Sequence, residues 1–175
     1  MKKQDISGNR VNIVFLGVGS NLGNKHLNIE KAKFLLDSND IKVIKFSNYY
    51  ETESWPDKNL PKYLNIIIKA TTSLSLLSLF DKIKLIENSL GRKHKPKNYP
   101  RKCDIDIITF GSKVLSINYG TQKIHIPHPR LHDRNFVLIP LFEVSSKWKH
   151  PKLNKKITKL LSNISINDLR SIKLI

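Results

Sequence analysis

Cysteine and methionine are almost absent from this chain: there is one of each in 175 residues, Cys103 and Met1. A single cysteine excludes an internal disulfide framework and suits a reducing, cytoplasmic setting. Acidic residues are also scarce, 14 Asp and Glu against 31 Lys and Arg, for a formal charge of +17. No apolar run approaches the length of a membrane span, so no membrane association is expected. The start, Met1 to Arg10, lacks the apolar core of a secretory signal and reads as a polar N-terminal extension. A linker-like stretch and internal repeats are missing too, and the length suits one domain, 1–175, with 146–175 as a C-terminal tail packed on it.

The charge invites a nucleic-acid reading. Its lysines, however, are spread along the chain among many Ile and Asn, three residue types with A/T-rich codons. A basic surface attracts anionic nucleotides without choosing among them.

With acids so few, their arrangement is informative. Asp104 and Asp106 stand one residue apart in Cys103-Asp104-Ile105-Asp106-Ile107-Ile108-Thr109-Phe110-Gly111, a β-branched, aromatic run closed by glycine. On a strand the two carboxylates share one face, about 6–7 Å apart, while Cys103, Ile105 and Ile107 share the other. Neighbouring hard oxygens suit Mg²⁺; a solvated strand face is the plainer alternative. The segment just upstream, Gly91 to Lys102, is dense in cations and prolines, so metal and phosphate would meet here.

Periodicity gives the remaining frame. Residues 11 to 18 read as a central strand, Gly19 to Gly23 as a turn, and Asn24 as the N-cap of a helix to Asp37 with Ile29, Ala32, Leu35 and Leu36 inward. Residues 41 to 52 read as one strand, with a phase shift at Ile44 that marks a bulge. Tyr63 to Thr71 alternates: Leu64, Ile66, Ile68 and Ala70 on one face, Tyr63, Asn65, Ile67 and Lys69 on the other. Leu76 to Leu90 has helical spacing and Gly91 ends it. With the aspartate strand the order is β-α-β-β-α-β, the ferredoxin-like arrangement. Short strands follow near 112–116 and 122–126, then a helix from Phe136 to Val144 with Pro140 as a break, and an amphipathic segment at 157–161.

Two motifs tempt. Gly17-Val18-Gly19-Ser20-Asn21-Leu22-Gly23 is spaced G-x-G-x-x-x-G, one residue off the dinucleotide fingerprint, and no P-loop pattern is present. His125, His128 and His132 have a zinc-like look, but two prolines interrupt them and no cysteine joins them; a phosphate-contacting loop is the better expectation.

Taken together, Phe15 to Gly23, Tyr50-Glu51-Thr52, Tyr63-Leu64-Asn65, Pro100-Arg101-x-x-Asp104-Ile105-Asp106, Pro127-His128, and Arg134-x-Phe136 through Pro140-Leu141-Phe142-Glu143 resemble the 6-hydroxymethyl-7,8-dihydropterin pyrophosphokinase family of folate biosynthesis. The resemblance runs in order from about residue 11 to 145. It implies an α/β (α+β) fold in which extra strands extend the ferredoxin-like core into a three-layer α/β/α sandwich with a mostly antiparallel sheet. It implies a transferase that moves the pyrophosphoryl group of ATP onto the hydroxymethyl group of the dihydropterin, releasing AMP; a monomer is expected. Asp104 and Asp106 match its ligands for two Mg²⁺ ions. Arg92, Arg101 and His128 match catalytic positions, and Glu87, Lys123, His128 and Arg134 match ATP-binding ones. Thr52, Tyr63, Asn65 and Phe136 match the pterin site.

Three places depart from the family pattern. His94 replaces the second arginine of R-x-R, Asn98-Tyr99 replaces Trp-Gly, and Glu53-Ser54 stands where proline is usual. Two other readings use the same features: an RRM-like nucleic-acid-binding module, and a catalytically weak homologue that binds pterin or ATP.

Overall fold

In a computed structural model of the chain, which describes residues 11–91 and 99–175, the sheet is built outward from β1, Asn12–Ser20. β1 pairs antiparallel on one side with β4, Tyr63–Thr72, and on the other with β5, Asp104–Phe110. On the far side of β4 lie β2, Ile41–Phe46, and β3, Tyr50–Thr52. The spatial order β5-β1-β4-β2/β3 is that of a ferredoxin-like core. A short β8, Lys173–Leu174, adds to β3 and completes six strands among the described residues.

Two helices, α1 (Lys25–Asp37) and α2 (Leu76–Ser89), cover one face of this sheet. Both start as the sequence requires, the Asn24 side chain accepting from the Leu27 amide and the Ser75 side chain from the Ser78 amide. Ile29, Ala32 and Leu36 of α1 and Leu79, Ile83 and Ile86 of α2 pack on Val14, Leu16, Ile66, Ile68, Ile105 and Ile107. Gly91 follows α2 with φ +88°, the left-handed conformation expected of a C′ glycine.

The opposite face carries a second core. Phe15, Ile67 and Ile108 point there and meet Val137, Leu138, Leu141 and Val144 of α3, Asn135–Val144, and Ile157 and Leu160 of α4, Ile157–Leu161. The result is the three-layer α/β/α sandwich. Strands buried on both faces explain why Ile66-Ile67-Ile68 and Ile107-Ile108 read as unbroken apolar runs.

Several boundaries differ from the sequence reading. β1 runs on to Ser20, so Gly19 and Ser20 belong to the strand; pairing with Asn65, Leu64 and Asp104 on both sides holds them extended. The expected strand over 41–52 is two. The bulge does fall between Val43 and Lys45, but the pairing ends after Ser47, and Glu143 of α3 binds the Asn48 amide and side chain at 3.0 and 2.9 Å. The strand expected at 112–116 is β6, Leu115–Tyr119; Gly111 and Gly120, at φ +54° and +57°, set the turns on either side, and Gly120 leads into β7, Gln122–Ile126. Pro140 does not break α3. The helix continues through it, and the missing N–H costs one carbonyl partner.

After α4, α5 (Ile166–Arg170) and β8 wrap back to β3, with the Ile175 amide on the Tyr49 carbonyl at 3.0 Å.

Candidate active site

Between β4 and β5, on the α3 side of the sheet, β1 presents glycine where side chains would otherwise stand. Gly19 pairs with Asn65 on one side and Asp104 on the other; Gly17 pairs with Ile67 and Asp106. A Cβ on Gly19 would lie 2.8 Å from Asn65 Oδ1 and 3.4 Å from Tyr63 Cδ1, and one on Gly17 would lie 3.2 Å from Ile108 Cδ1. The glycines therefore make a bare floor, with Tyr63 and Asn65 on one wall and Asp104 and Asp106 on the other. The G-x-G pattern lies within a strand, where it makes room for the Asn65, Tyr63 and Ile108 side chains, and does not form a phosphate-binding turn.

The two acids are held from different elements. Arg101, just before β5, puts Nη1 3.1 Å from Asp104 Oδ1. Arg134, just before α3, puts Nη1 3.8 Å from Asp106 Oδ2. Enclosure in the groove and the like charge of Asp104 push Asp106 up to about 6. Its side chain still keeps 46% of its surface open, so the repulsion from Asp104 is the part that an arriving cation would relieve. Two oxygen-only side chains, adjacent, open and mutually repelling, fit Mg²⁺ or a similar hard cation.

A buried network fixes the rim. Asn21 is 1% exposed; its Oδ1 accepts from the Arg101 amide at 2.8 Å, and its Nδ2 donates to Ser54 Oγ at 3.4 Å and to the Pro61 carbonyl at 3.3 Å. Ser54 Oγ donates to the same carbonyl at 2.6 Å. One side chain thus ties the arginine segment to the loop after β3.

On the other wall, Asn65 Nδ2 donates to Thr52 Oγ1 at 2.9 Å, which fixes the amide and leaves its Oδ1 over Gly19. Phe136 is half-buried against the α3 core, with the Arg134 guanidinium 5.3 Å from its ring centroid. Thr52, Tyr63, Asn65, Arg101, Asp104 and Asp106 are therefore brought together around the glycine floor, and Arg134 links Phe136 to it.

His128 lies along β5, its amide donating to the Ile108 carbonyl at 2.9 Å, and its Nδ1 accepts from the Arg130 amide at 3.2 Å. Burial, with Arg134 and Arg130 nearby, lowers it to about 4. The ring is neutral at pH 7 with its proton on Nε2, free to donate to a phosphate oxygen. The three histidines diverge: His125 is exposed on β7, and His132 turns to His150, with 5.8 Å between ring centroids.

Other expected residues fall elsewhere. Lys123 is exposed on β7, opposite Asn118 of β6. Arg92 and His94 lie outside the described residues. Glu87, matched to ATP, is fully buried beneath the strand: Oε1 accepts from the Ile105 amide at 2.8 Å and Oε2 meets Lys84 Nζ at 2.8 Å. It thus binds the backbone between the two aspartates. Asn21 and Glu143 are residues to which sequence reasoning gave no role. Glu143 accepts from Tyr50 Oη at 3.0 Å as well as from Asn48, and so fixes the strand that carries Thr52. The sequence signal for Asn21 was its place in the family-like segment Phe15 to Gly23, which gave it no role of its own.

Residues 15–146 match the family model for 7,8-dihydro-6-hydroxymethylpterin-pyrophosphokinase. The chain belongs to this family. A pyrophosphokinase of that kind from Aquifex aeolicus is 37% identical over 144 residues, covering 82% of this chain and 87% of the relative. The folic acid synthesis protein fol1 of Pneumocystis carinii is 34% identical over 165 residues, covering 91% of this chain, which spans only 21% of that longer protein. In structure, a Plasmodium falciparum HPPK-DHPS triple mutant crystallised with SDX-DHP superposes with a TM-score of 0.78 at 18% identity, over 97% of this chain and 48% of that one. At that identity the likeness shows the pyrophosphokinase fold.

Proposed function

We propose that the protein transfers the pyrophosphoryl group of ATP to 6-hydroxymethyl-7,8-dihydropterin and releases AMP. The observation that carries this reading is the pairing of two unlike walls across one bare strand. Asp104 and Asp106 suit a metal-bound polyphosphate, and one strand-width beyond Gly19 the fixed Asn65 amide suits the donor and acceptor edge of a pterin. In the step, the hydroxymethyl oxygen bonds to the β-phosphorus, the bond from that phosphorus to the α–β bridging oxygen breaks, AMP leaves with that oxygen, and the hydroxyl proton is released. Asp104 and Asp106 would hold two Mg²⁺ ions, which neutralise phosphate charge when bound.

The chain's own side chains supply the rest. Arg101, held by Asn21, offers a planar fork to phosphate oxygens. Arg134 and the neutral His128 add donors along the same side, Lys123 joins from the β6–β7 hairpin, and Arg92, outside the described residues, is a further phosphate contact. Thr52 and Asn65 read the pterin edge, and Tyr63 and Phe136 flank its faces. Asn21 and Glu87 hold the backbone that carries the catalytic side chains.

The continuous sheet supports reading the described residues as one domain, and we take 1–175 as a single pyrophosphokinase domain that acts as a cytoplasmic monomer. Among the described residues no helix is long and apolar enough to cross a membrane. Helices cover both faces of the sheet, which weighs against an RRM-like module, since that would need one face open to stack bases.

The test is AMP formation from ATP and Mg²⁺ with and without the dihydropterin. Pterin-dependent AMP is expected; pterin-independent hydrolysis, or none, would remove the reading.

A further inference from the structure

On the α1–α2 face of the sheet, α1 and the end of α2 enclose a groove of about 450 Å³, within the usual size range of small-ligand sites. Phe34 and Leu35 of α1 and Leu90 after α2 give it an apolar lining, with Lys31 and Lys102 among them. No carboxylate lines it. The ion pairs of α1 are made by Lys25 and Lys33 instead, and Lys31 and Lys102 are exposed. Phe34 is 71% exposed, while the core contacts of its helix are made by Ile29, Ala32 and Leu36. Two lysines with no acid between them, beside a bare aromatic surface, suit a ligand that has both an acidic group and an apolar body.

The groove is built from the back of the catalytic elements. Asn28, also in its lining, donates from Nδ2 to Ser20 Oγ at 3.2 Å and to the Leu22 carbonyl at 2.9 Å, which ties α1 to the end of β1. Lys102 follows Arg101, whose amide and carbonyl are both taken by Asn21, at 2.8 and 3.1 Å. The two neighbours diverge: Arg101 reaches Asp104, and Lys102 lines the groove. Leu90 lies three residues after Glu87, which binds the Ile105 amide between the aspartates.

We infer that this groove binds an amphiphilic organic anion, with its acidic group between Lys31 and Lys102 and its apolar body on Phe34, Leu35 and Leu90, and that its occupancy is felt at Arg101. An anion held by Lys102 biases the backbone that carries Arg101. The binding stands apart from the pyrophosphokinase reading; the effect on turnover rests on it.

The probe is 8-anilinonaphthalene-1-sulfonate, an aromatic sulfonate whose emission rises when it leaves water. Its titration into the full chain is expected to saturate. Lys31→Glu and Phe34→Ser should each raise its Kd about tenfold, the scale of a reversed charge contact or a lost ring contact. Both residues are exposed, so melting temperatures should hold. Lys42→Glu, on β2 and outside the groove, changes the net charge equally and should leave Kd near parental. Mg²⁺ with α,β-methylene-ATP and 6-hydroxymethylpterin should not displace the probe. In AMP release, saturating probe should change kcat or ATP KM by about fivefold, the low end of coupling between sites, and by less in Lys31→Glu. Displacement by either substrate mimic, or a Kd weakened as much by Lys42→Glu as by Lys31→Glu, overturns the groove as the site. Probe bound there with turnover unchanged overturns the coupling to Arg101. A parent that forms no pterin-dependent AMP overturns the pyrophosphokinase reading, while the titration still decides the groove.

Discussion

Gly19 faces Asn65 so closely that a methyl group on the first would come 2.8 Å from Oδ1 of the second. Neither can yield cheaply, because the Asn65 amide is fixed by Thr52 and both strands are paired on both sides. Gly19→Ala should therefore turn Asn65 out of place with little change in the strand. The expected outcome is a pterin KM raised at least about tenfold, since an ångström of misplacement is costly in catalysis, with ATP KM nearly unchanged. Equal losses for both substrates would show that the floor serves the nucleotide instead.

Asp104 and Asp106 give the sharpest test of the site. Their ion pairs with Arg101 and Arg134 are partly open to solvent, so they add little to stability. Asp104→Asn and Asp106→Asn should each lower AMP release by about a thousandfold or more, on the scale of a lost electrostatic stabiliser. Circular dichroism and melting temperature should stay close to parental. Near-normal turnover in both variants would remove the metal assignment.

Asn65→Ala separates the two walls. It deletes a buried amide and leaves Thr52 Oγ1 without its donor. Pterin affinity should fall by an amount worth about 1–3 kcal/mol, and ATP affinity should hold. Titration of each ligand separately reads the difference.

How much of this was legible in the sequence depended on the range of the cause. Local periodicity sufficed for α1, α2, β4 and the face of β5 that carries the aspartates, because each has one buried side and clear caps. It also placed Tyr63 and Asn65 opposite Leu64 and Ile66. It failed where a distant partner decides. Gly19 reads as a turn until β4 and β5 pair with it, Pro140 reads as a break until the second core holds α3, and β3 separates from β2 because Glu143, some 95 residues away, claims Asn48. That Glu87 is buried and bonded to the Ile105 amide was likewise out of reach, because nothing in a helical pattern tells a buried carboxylate from an exposed one. Family resemblance supplied the pterin role proposed for the Tyr63 and Asn65 wall, which spacing alone did not show.

Glu87 should matter to stability first. Glu87→Ala leaves the buried Ile105 amide unpaired and frees Lys84 from its partner. The expected loss is about 2–3 kcal/mol, that of an unsatisfied buried group with a half-open charge partner, seen as a lower urea midpoint with an unchanged slope. Glu87→Gln, which keeps an acceptor for Ile105, should lose less. A variant as stable as the parent but inactive would instead place Glu87 in direct contact with substrate.

His150 predicts an acid weakness far from the groove. Its ring is 2% exposed and packs on Trp148 and His132. Its Nδ1 accepts from the Lys152 and Leu153 amides at 3.1 and 3.2 Å, so a proton there would break both bonds. Burial first, with His132 and Lys152 adding repulsion, lowers it to about 4. In the unfolded chain it titrates near the ordinary value of about 6.5. Between those two values the unfolded chain binds a proton that the native protein refuses, so stability falls as pH drops from about 6.5 to about 4 and is insensitive to this group outside that window. The slope cannot exceed about 1.4 kcal/mol per pH unit for one histidine. His128 acts in the same direction, and Asp106, raised to about 6, acts against it, so the raw pH profile is a sum. His150→Asn isolates the term: its Oδ1 can take the place of Nδ1 as acceptor, and it does not titrate. The loss of melting temperature between pH 7 and pH 5 should be smaller in the variant than in the parent. An equal loss in both would show that His150 does not set the acid limit of this fold.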